Sequence, residues 1–276
     1  MTTAPAAPPR RRALSTGALW GLLASTPLLL LLTHYLAAIP HEFTHSFVAW
    51  MLGIKSDPLV ITWGGDSIAN ILLLIDIDEH VDYKTALADG RFAAVAITAL
   101  AGPLLANGGL YLIWRWVIGR AAVRARPVLS YVVFWLLVMN LANIWCYIPM
   151  RAFASNGDFV HFIWATNASP WLMYIIVGYL VVWGLFDFYR RVLPCTLEAA
   201  TVTPRPARAI VLIVATAVIF GYFAIPGFVE SDPVSQVIAG TSVLLIPPIV
   251  LLQWGRAVVE PLGRAASGSG SGSVGR

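Results

Sequence analysis

The sequence predicts an all-α polytopic membrane protein, with about six transmembrane helices and a small extramembrane β element between the first two. Composition points there first: of 276 residues 58% are hydrophobic and only 12% charged, with a mean hydropathy of +0.76, a balance that aqueous domains do not show. Length patterning points there next, because a helix needs roughly 20 apolar residues to cross about 30 Å of hydrocarbon and the chain offers six such stretches. The alternating pattern of a barrel is absent, which leaves helices as the spanning structure, since only helices and closed barrels satisfy the backbone in lipid.

Taken in order, the predicted spans run from Gly17 to Ile39, Phe92 to Val117, Val128 to Ile148, Pro170 to Phe188, Ala209 to Ile225 and Val234 to Trp254. The first follows Arg10, Arg11 and Arg12 as a secretory core would, but it is longer than such a core and no small-residue cleavage site ends it. Positive residues near span ends stay on the cytoplasmic side. Arg10 to Arg12 precede span one, Arg115, Arg120, Arg124 and Arg126 join spans two and three, Arg190, Arg191, Arg205 and Arg208 join four and five, and Arg256 and Arg264 follow six. Every second connection is therefore basic. The others are acidic, through Asp57, Asp66, Asp76, Asp78, Glu79, Asp82, Asp89, Asp158, Glu230 and Asp232. This places both termini in the cytoplasm of a multi-pass protein of a bacterial inner (plasma) membrane. The formal charge of +4 is spread over span ends rather than gathered on one face, so nucleic acid is excluded as a partner and the lipid bilayer is the expected one. Cys146 and Cys195 lie far apart without metal-type spacing and imply no disulfide framework.

The segment from Gly53 to Gly90 reads differently. Val60-Ile61-Thr62-Trp63 is β-branched and aromatic, Gly64-Gly65-Asp66 is turn chemistry and Ile71 to Ile77 is a short apolar run, which together predict a small sheet or hairpin, with a helix for the second run also compatible with its period. The run Ser267 to Ser273 alternates Ser and Gly and reads as flexible tail.

Chemistry concentrates at Pro40-His41-Glu42-Phe43-Thr44-His45. Residues four apart share a helix face, so two imidazoles can grip one Zn²⁺ while the intervening Glu reaches a water on it. An ionisable side chain at membrane depth costs about 2.5 to 3.5 kcal/mol on insertion scales, and this single stretch carries His34, His41, Glu42 and His45. The alternative, a cluster lying just outside the hydrocarbon, is opposed by the continuation Ser46 to Leu52, which stays apolar and helical until Gly53. Pro40 should kink the helix or begin a new one. His34, seven residues before His41, reads as a hydrogen-bonded lumen residue rather than a ligand.

With Ala101-Gly102-Pro103-Leu104-Leu105-Ala106-Asn107 in the second span, and Asn140, Asn143 and Pro149 leading to Gly157-Asp158, the chain from approximately Thr33 to Phe162 resembles the site-2 protease family of intramembrane metalloproteases. The first of these segments is similar to that family's G-P-x-x-N motif, the second to its N-x-x-P segment leading to an aspartate ligand. The resemblance implies a zinc metallopeptidase that hydrolyses peptide bonds of membrane-embedded protein or peptide substrates. His41, His45 and Asp158 would be the zinc ligands and Glu42 the base, while Asn107 and Asn140 or Asn143 would hold the substrate strand or the oxyanion. The bland reading of Gly102-Pro103 is close helix packing or a kink, and of the asparagines, bonds between helices. Two features depart from the family. It usually reads Asp-Gly soon after the Asn and Pro, whereas here the order is Gly157-Asp158 after the longer stretch Met150 to Asn156, so Glu79, His80 and His161 compete as third ligand. Cytoplasmic termini also deliver His41 toward the opposite face, while the family's sites usually open to the cytoplasm.

The chain accordingly divides into a cytoplasmic basic N-terminal segment (1–16), a metalloprotease-like membrane core (17–168), C-terminal transmembrane helices (169–258) and a flexible tail (259–276). Two other functions fit parts of the pattern. A catalytically silent metal-binding protein, structural or sensing, would account for the displaced Asp. A transporter would use intramembrane His, Asp and Glu as an ion path, yet spans five and six carry almost no polar residues and no repeat is visible.

Overall fold

The computed structural model describes residues 13–259; the basic run Arg10 to Arg12 and the Ser/Gly tail lie outside the described residues. The chain starts with two apolar helices, Thr16–Ala24 (α1) and Thr26–Met51 (α2), followed by two short ones, Ile68–Leu73 (α3) and Tyr83–Ala88 (α4). Phe92–Val117 (α5) and Pro127–Met150 (α6) come next. Asp158–Thr166 (α7) then leads to Pro170–Ala199 (α8), Arg205–Val229 (α9) and Pro233–Val259 (α10). Helices α5, α6, α8, α9 and α10 are each long and apolar enough to cross a membrane, and α1 with α2, bent by 50° against each other, pass the same test as a pair. Five of the six stretches marked by hydropathy each fall within one of these single helices, while the first, Gly17 to Ile39, is divided between α1 and α2, and the protein has the build of an integral membrane protein.

Two breaks in the ladder have identifiable causes. The 50° bend falls at Ser25, where Pro27 has no N–H to return to the preceding turn and Ser25 Oγ donates to the Leu22 carbonyl at 2.7 Å. Pro40 does not restart the helix: it lies inside α2, which continues through it. In α5 the backbone widens into π-helical turns over Ala101–Gly108, the segment that holds Gly102 and Pro103, and such wide turns frequently mark functional sites.

Helix α6 is the axis of the bundle: 78% of its most apolar window is buried, against 17% for α10 at the periphery. Tyr131, Phe134, Trp135 and Leu137 fill the centre, with Phe134 stacked on Phe188 of α8 at 5.6 Å. The outer faces expose large apolar side chains such as Leu112, Trp116, Leu180, Trp183, Leu251 and Leu252. In water a belt of that extent would aggregate; against acyl chains it is the solvated surface.

The expected β element between the first two spans does not form among the described residues. Thr62 and Asp78 exchange backbone hydrogen bonds of 2.8 and 3.0 Å, but as one isolated bridge. The start of the second run, Ile71 to Leu73, instead ends α3, which Ser67 caps by accepting from the Asn70 N–H at 3.0 Å. Buried Asn70 then donates to the carbonyls of Trp63 (3.1 Å) and Gly65 (2.8 Å) and accepts from the Asp76 N–H (3.0 Å), so the loop closes on one side chain and leaves no second strand to pair. The end of α3 is tied to the bundle through its last carbonyls: Tyr35 Oη donates to Ile71 O at 3.0 Å, Tyr222 Oη to Leu72 O, and His34 Nε2 lies 3.3 Å from Leu73 O.

At one end of the bundle the arginines gather. Arg115 of α5 pairs with Asp187 of α8 (Nε to Oδ2, 2.6 Å), Arg191 approaches the same carboxylate at 3.4 Å, and Arg208 of α9 donates to the Ala257 carbonyl of α10. Among the described residues, arginines from the two internal basic connections therefore share one side of the molecule.

Candidate metal centre

His41 and His45 sit one turn apart on α2, and Asp158 opens α7 from the opposite side. Their ligand atoms converge: His41 Nε2 and His45 Nε2 are 3.1 Å apart, and Asp158 Oδ2 lies 3.1 Å from the first and 3.3 Å from the second. A tetrahedral zinc with bonds of about 2.0–2.1 Å separates its ligands by about 3.3 Å, so all three edges match that requirement closely. The group is deeply buried, at 1%, 0% and 8% exposure for His41, His45 and Asp158, and it could hold a metal ion.

The outer bonds fix which lone pairs face inward. His41 Nδ1 donates to Asn107 Oδ1 at 2.7 Å and His45 Nδ1 donates to the Thr98 carbonyl at 2.6 Å. With a proton on each Nδ1, both Nε2 atoms present lone pairs to a carboxylate oxygen. Three acceptors within 3.3 Å, shut off from water, repel one another unless a cation stands between them. A shared proton is the minimal such cation. When that proton sits on a histidine Nε2, burial still pushes the Asp158 carboxyl up, but the resulting charge on His45 and the hydrogen bonding within the group outweigh it and hold the carboxyl well below the ordinary carboxylate range. Asp158 is thus an anion ready to meet a cation of either kind.

Local sequence explains each placement. Pro103 has no N–H to return to the previous turn of α5, and in that turn the Thr98 carbonyl accepts both the Ala101 N–H and His45 Nδ1. Gly102 supplies clearance: a Cβ there would lie 2.1 Å from His45 Nε2 and 2.6 Å from His41 Nε2, so only glycine lets α5 pass this close to the two rings. Gly157, at φ +118° against the Arg151 guanidinium, turns the chain so that Asp158 enters α7 pointing at the histidines. That turn accounts for the Gly157-Asp158 order. The competing third ligands are engaged elsewhere: buried Glu79 accepts from Tyr83 Oη at 2.5 Å, exposed His80 lies near Thr62 Oγ1, and His161 stacks on Tyr83 at 4.1 Å.

Glu42 is 5% exposed, and its Oε1 stands 4.0 Å from His41 Nε2. Glu42 borders a cavity of about 280 Å³, shared with His34, Asn143, Tyr147, Arg151 and the apolar side chains of Leu73, Leu74, Ile75 and Ile77. The three asparagines separate by position. Asn107 and Asn140 are fully buried, with Asn107 Oδ1 accepting from His41 and its Nδ2 donating to the Ala37 carbonyl (3.1 Å) and to Asn140 Oδ1 (3.2 Å), so Asn107 holds the imidazole and Asn140 holds Asn107. Asn143 alone of the three lines the cavity, and donates to Met139 O at 3.0 Å. Tyr147 was not foreseen: its ring stacks on His41 at 4.6 Å and 17°. Its place just before Pro149 was the available signal. The Thr98 carbonyl, being backbone, offered none.

No family model, curated protein or solved structure matches the chain.

Proposed function

We propose that the protein is an intramembrane zinc metalloprotease of the site-2 protease kind, cutting membrane-embedded protein or peptide substrates. The observation that carries the reading is the meeting of His41, His45 and Asp158 with Glu42 4.0 Å away, at the wall of a cavity, in a segment that lies within a membrane-spanning pair of helices. Two imidazoles and one carboxylate leave a tetrahedral position open, the arrangement of catalytic rather than structural zinc sites. Bound zinc supplies Lewis acidity, polarising a carbonyl and making a water acidic enough to attack near neutral pH.

The remaining work falls to the chain's own side chains. Glu42 takes the proton of the attacking water and delivers it to the leaving amine. Asn143, with amide capacity left after its bond to Met139 O, holds the substrate backbone on the cavity side. Tyr147 and Asn107 keep the His41 ring in its plane and tautomer. Leu73, Leu74, Ile75 and Ile77 give the cavity an apolar wall. The arginine-rich end of the bundle would face the cytoplasm, as in a bacterial inner membrane with both termini inside.

The experiment is Glu42→Gln in protein reconstituted with single-span membrane polypeptides, with bound zinc and cleavage products measured together. The variant should keep zinc and lose about 10²–10⁴-fold in rate. Full cleavage with zinc still bound would refute the mechanism, and absence of stoichiometric zinc from the wild type would refute the metal reading itself.

A further inference from the structure

At the arginine-rich end, α8 and α10 part around two adjoining hollows. One, of about 420 Å³, is lined by Trp183, Phe186, Asp187, Arg190, Arg191 and Arg256. The second, of about 800 Å³, continues toward the middle of the bundle between α8, α9 and α10, walled by apolar side chains such as Leu185, Phe220, Ile249 and Leu252. Phe186, Arg190 and Arg256 belong to both, so the two form one groove with a basic mouth. Neither shares a residue with the cavity beside Glu42.

Among the described residues the charges at the mouth do not cancel. Asp187 is taken up by Arg115 at 2.6 Å and Arg191 at 3.4 Å. Arg190, exposed, holds its guanidinium 4.7 Å above the Phe186 ring, and Arg256 is half-buried. Neither has a carboxylate partner among the described residues.

We propose that this groove binds an anionic phospholipid, its phosphate between Arg190 and Arg256 and one acyl chain along Leu185, Ile249 and Leu252. The solvent around an outer groove of a membrane bundle is lipid, and a span end lies at headgroup depth, where arginines draw anionic headgroups. Guanidinium groups fit phosphate with paired N–H···O bonds, and an apolar groove beneath a cationic mouth repeats the division of a phospholipid into chain and head. Charge complementarity selects an anionic headgroup over a zwitterionic one.

The test uses full-length protein in nanodiscs containing phosphatidylglycerol and phosphatidylcholine, with lipid retained on extraction counted by native mass spectrometry. Wild type should retain phosphatidylglycerol preferentially. Each arginine near a charged surface contributes about fivefold, so Arg190→Gln with Arg256→Gln should weaken that retention about 30-fold, with metal content unchanged. Leu252→Trp, which fills the groove under an intact mouth, should lower retention as well, and it carries the test together with the wild-type lipid comparison if the double variant does not fold. Equal retention of the two lipids by wild type, an undiminished preference in either variant, or displacement by millimolar inorganic phosphate would overturn the proposal.

Discussion

A methyl group on Gly102 would stand 2.1 Å from His45 Nε2 and 2.6 Å from both Nε2 and Cε1 of His41. Comfortable contact needs about 3.5 Å, so Gly102→Ala asks the rings to retreat by about 1 Å. They have nowhere to go. His45 is tied to the Thr98 carbonyl at 2.6 Å, and His41 to Asn107 at 2.7 Å with Tyr147 stacked on its face. Metal bonds tolerate about ±0.2 Å, so a displacement of that size breaks the coordination set. Zinc affinity should fall by more than the 10–100-fold that loss of an outer partner produces. The chain itself should survive, because alanine favours a helix interior over glycine by about 0.8–1.0 kcal/mol and offsets part of the overpacking strain of about 1–3 kcal/mol. The assay is zinc content of purified protein, with thermal unfolding measured in the presence and absence of chelator. Wild type should lose stability on chelation, whereas Gly102→Ala should be metal-free and indifferent to chelator. A folded variant carrying one equivalent of zinc at wild-type affinity would refute the packing argument.

Other outcomes follow from the same geometry. Asn107→Leu removes the acceptor for His41 Nδ1 at a fully buried position and should weaken zinc binding by about 10–100-fold in a competition titration; unchanged affinity would mean that Asn107 does not hold the ring. Zinc and protons compete for the same Nε2 lone pairs, so affinity should fall as pH is lowered, by up to about tenfold per pH unit for each imidazole proton displaced. The depressed carboxyl of Asp158 contributes to that fall only at much lower pH, since it stays ionised below the ordinary carboxylate range. A pH-independent affinity would remove the histidines from the ligand set.

The spans were legible because lipid imposes one rule on every residue that faces it: α5 begins and ends where the hydropathy does, at Phe92 and Val117. Where neighbours decide, the sequence misled. Val60 to Trp63 has strand chemistry, yet a strand needs a partner, and Asn70 draws the would-be partner into a closed loop. Pro40 could have begun a new helix, but α2 runs through it, and the break comes at Ser25 beside Pro27. At the centre, His41 and His45 were readable from helical spacing alone, whereas the approach of Asp158 depends on the turn at Gly157 and the path of α6. The asparagines were readable as polar groups within spans. Which way each points is settled by helix rotation, and so Asn107 and Asn140 back the imidazole while Asn143 faces the cavity.

The three converging side chains are far apart in the order of synthesis: Asp158 follows His41 by 117 residues. A ribosome that has delivered α2, α5 and α6 to the translocon has made a chain holding both imidazoles and Glu42 but no third donor. Such a nascent chain lacks the complete set of His41, His45 and Asp158 until the turn after α6 has emerged and α7 has docked. On the proposed protease reading, a half-inserted polypeptide would stay inert until that last donor arrives.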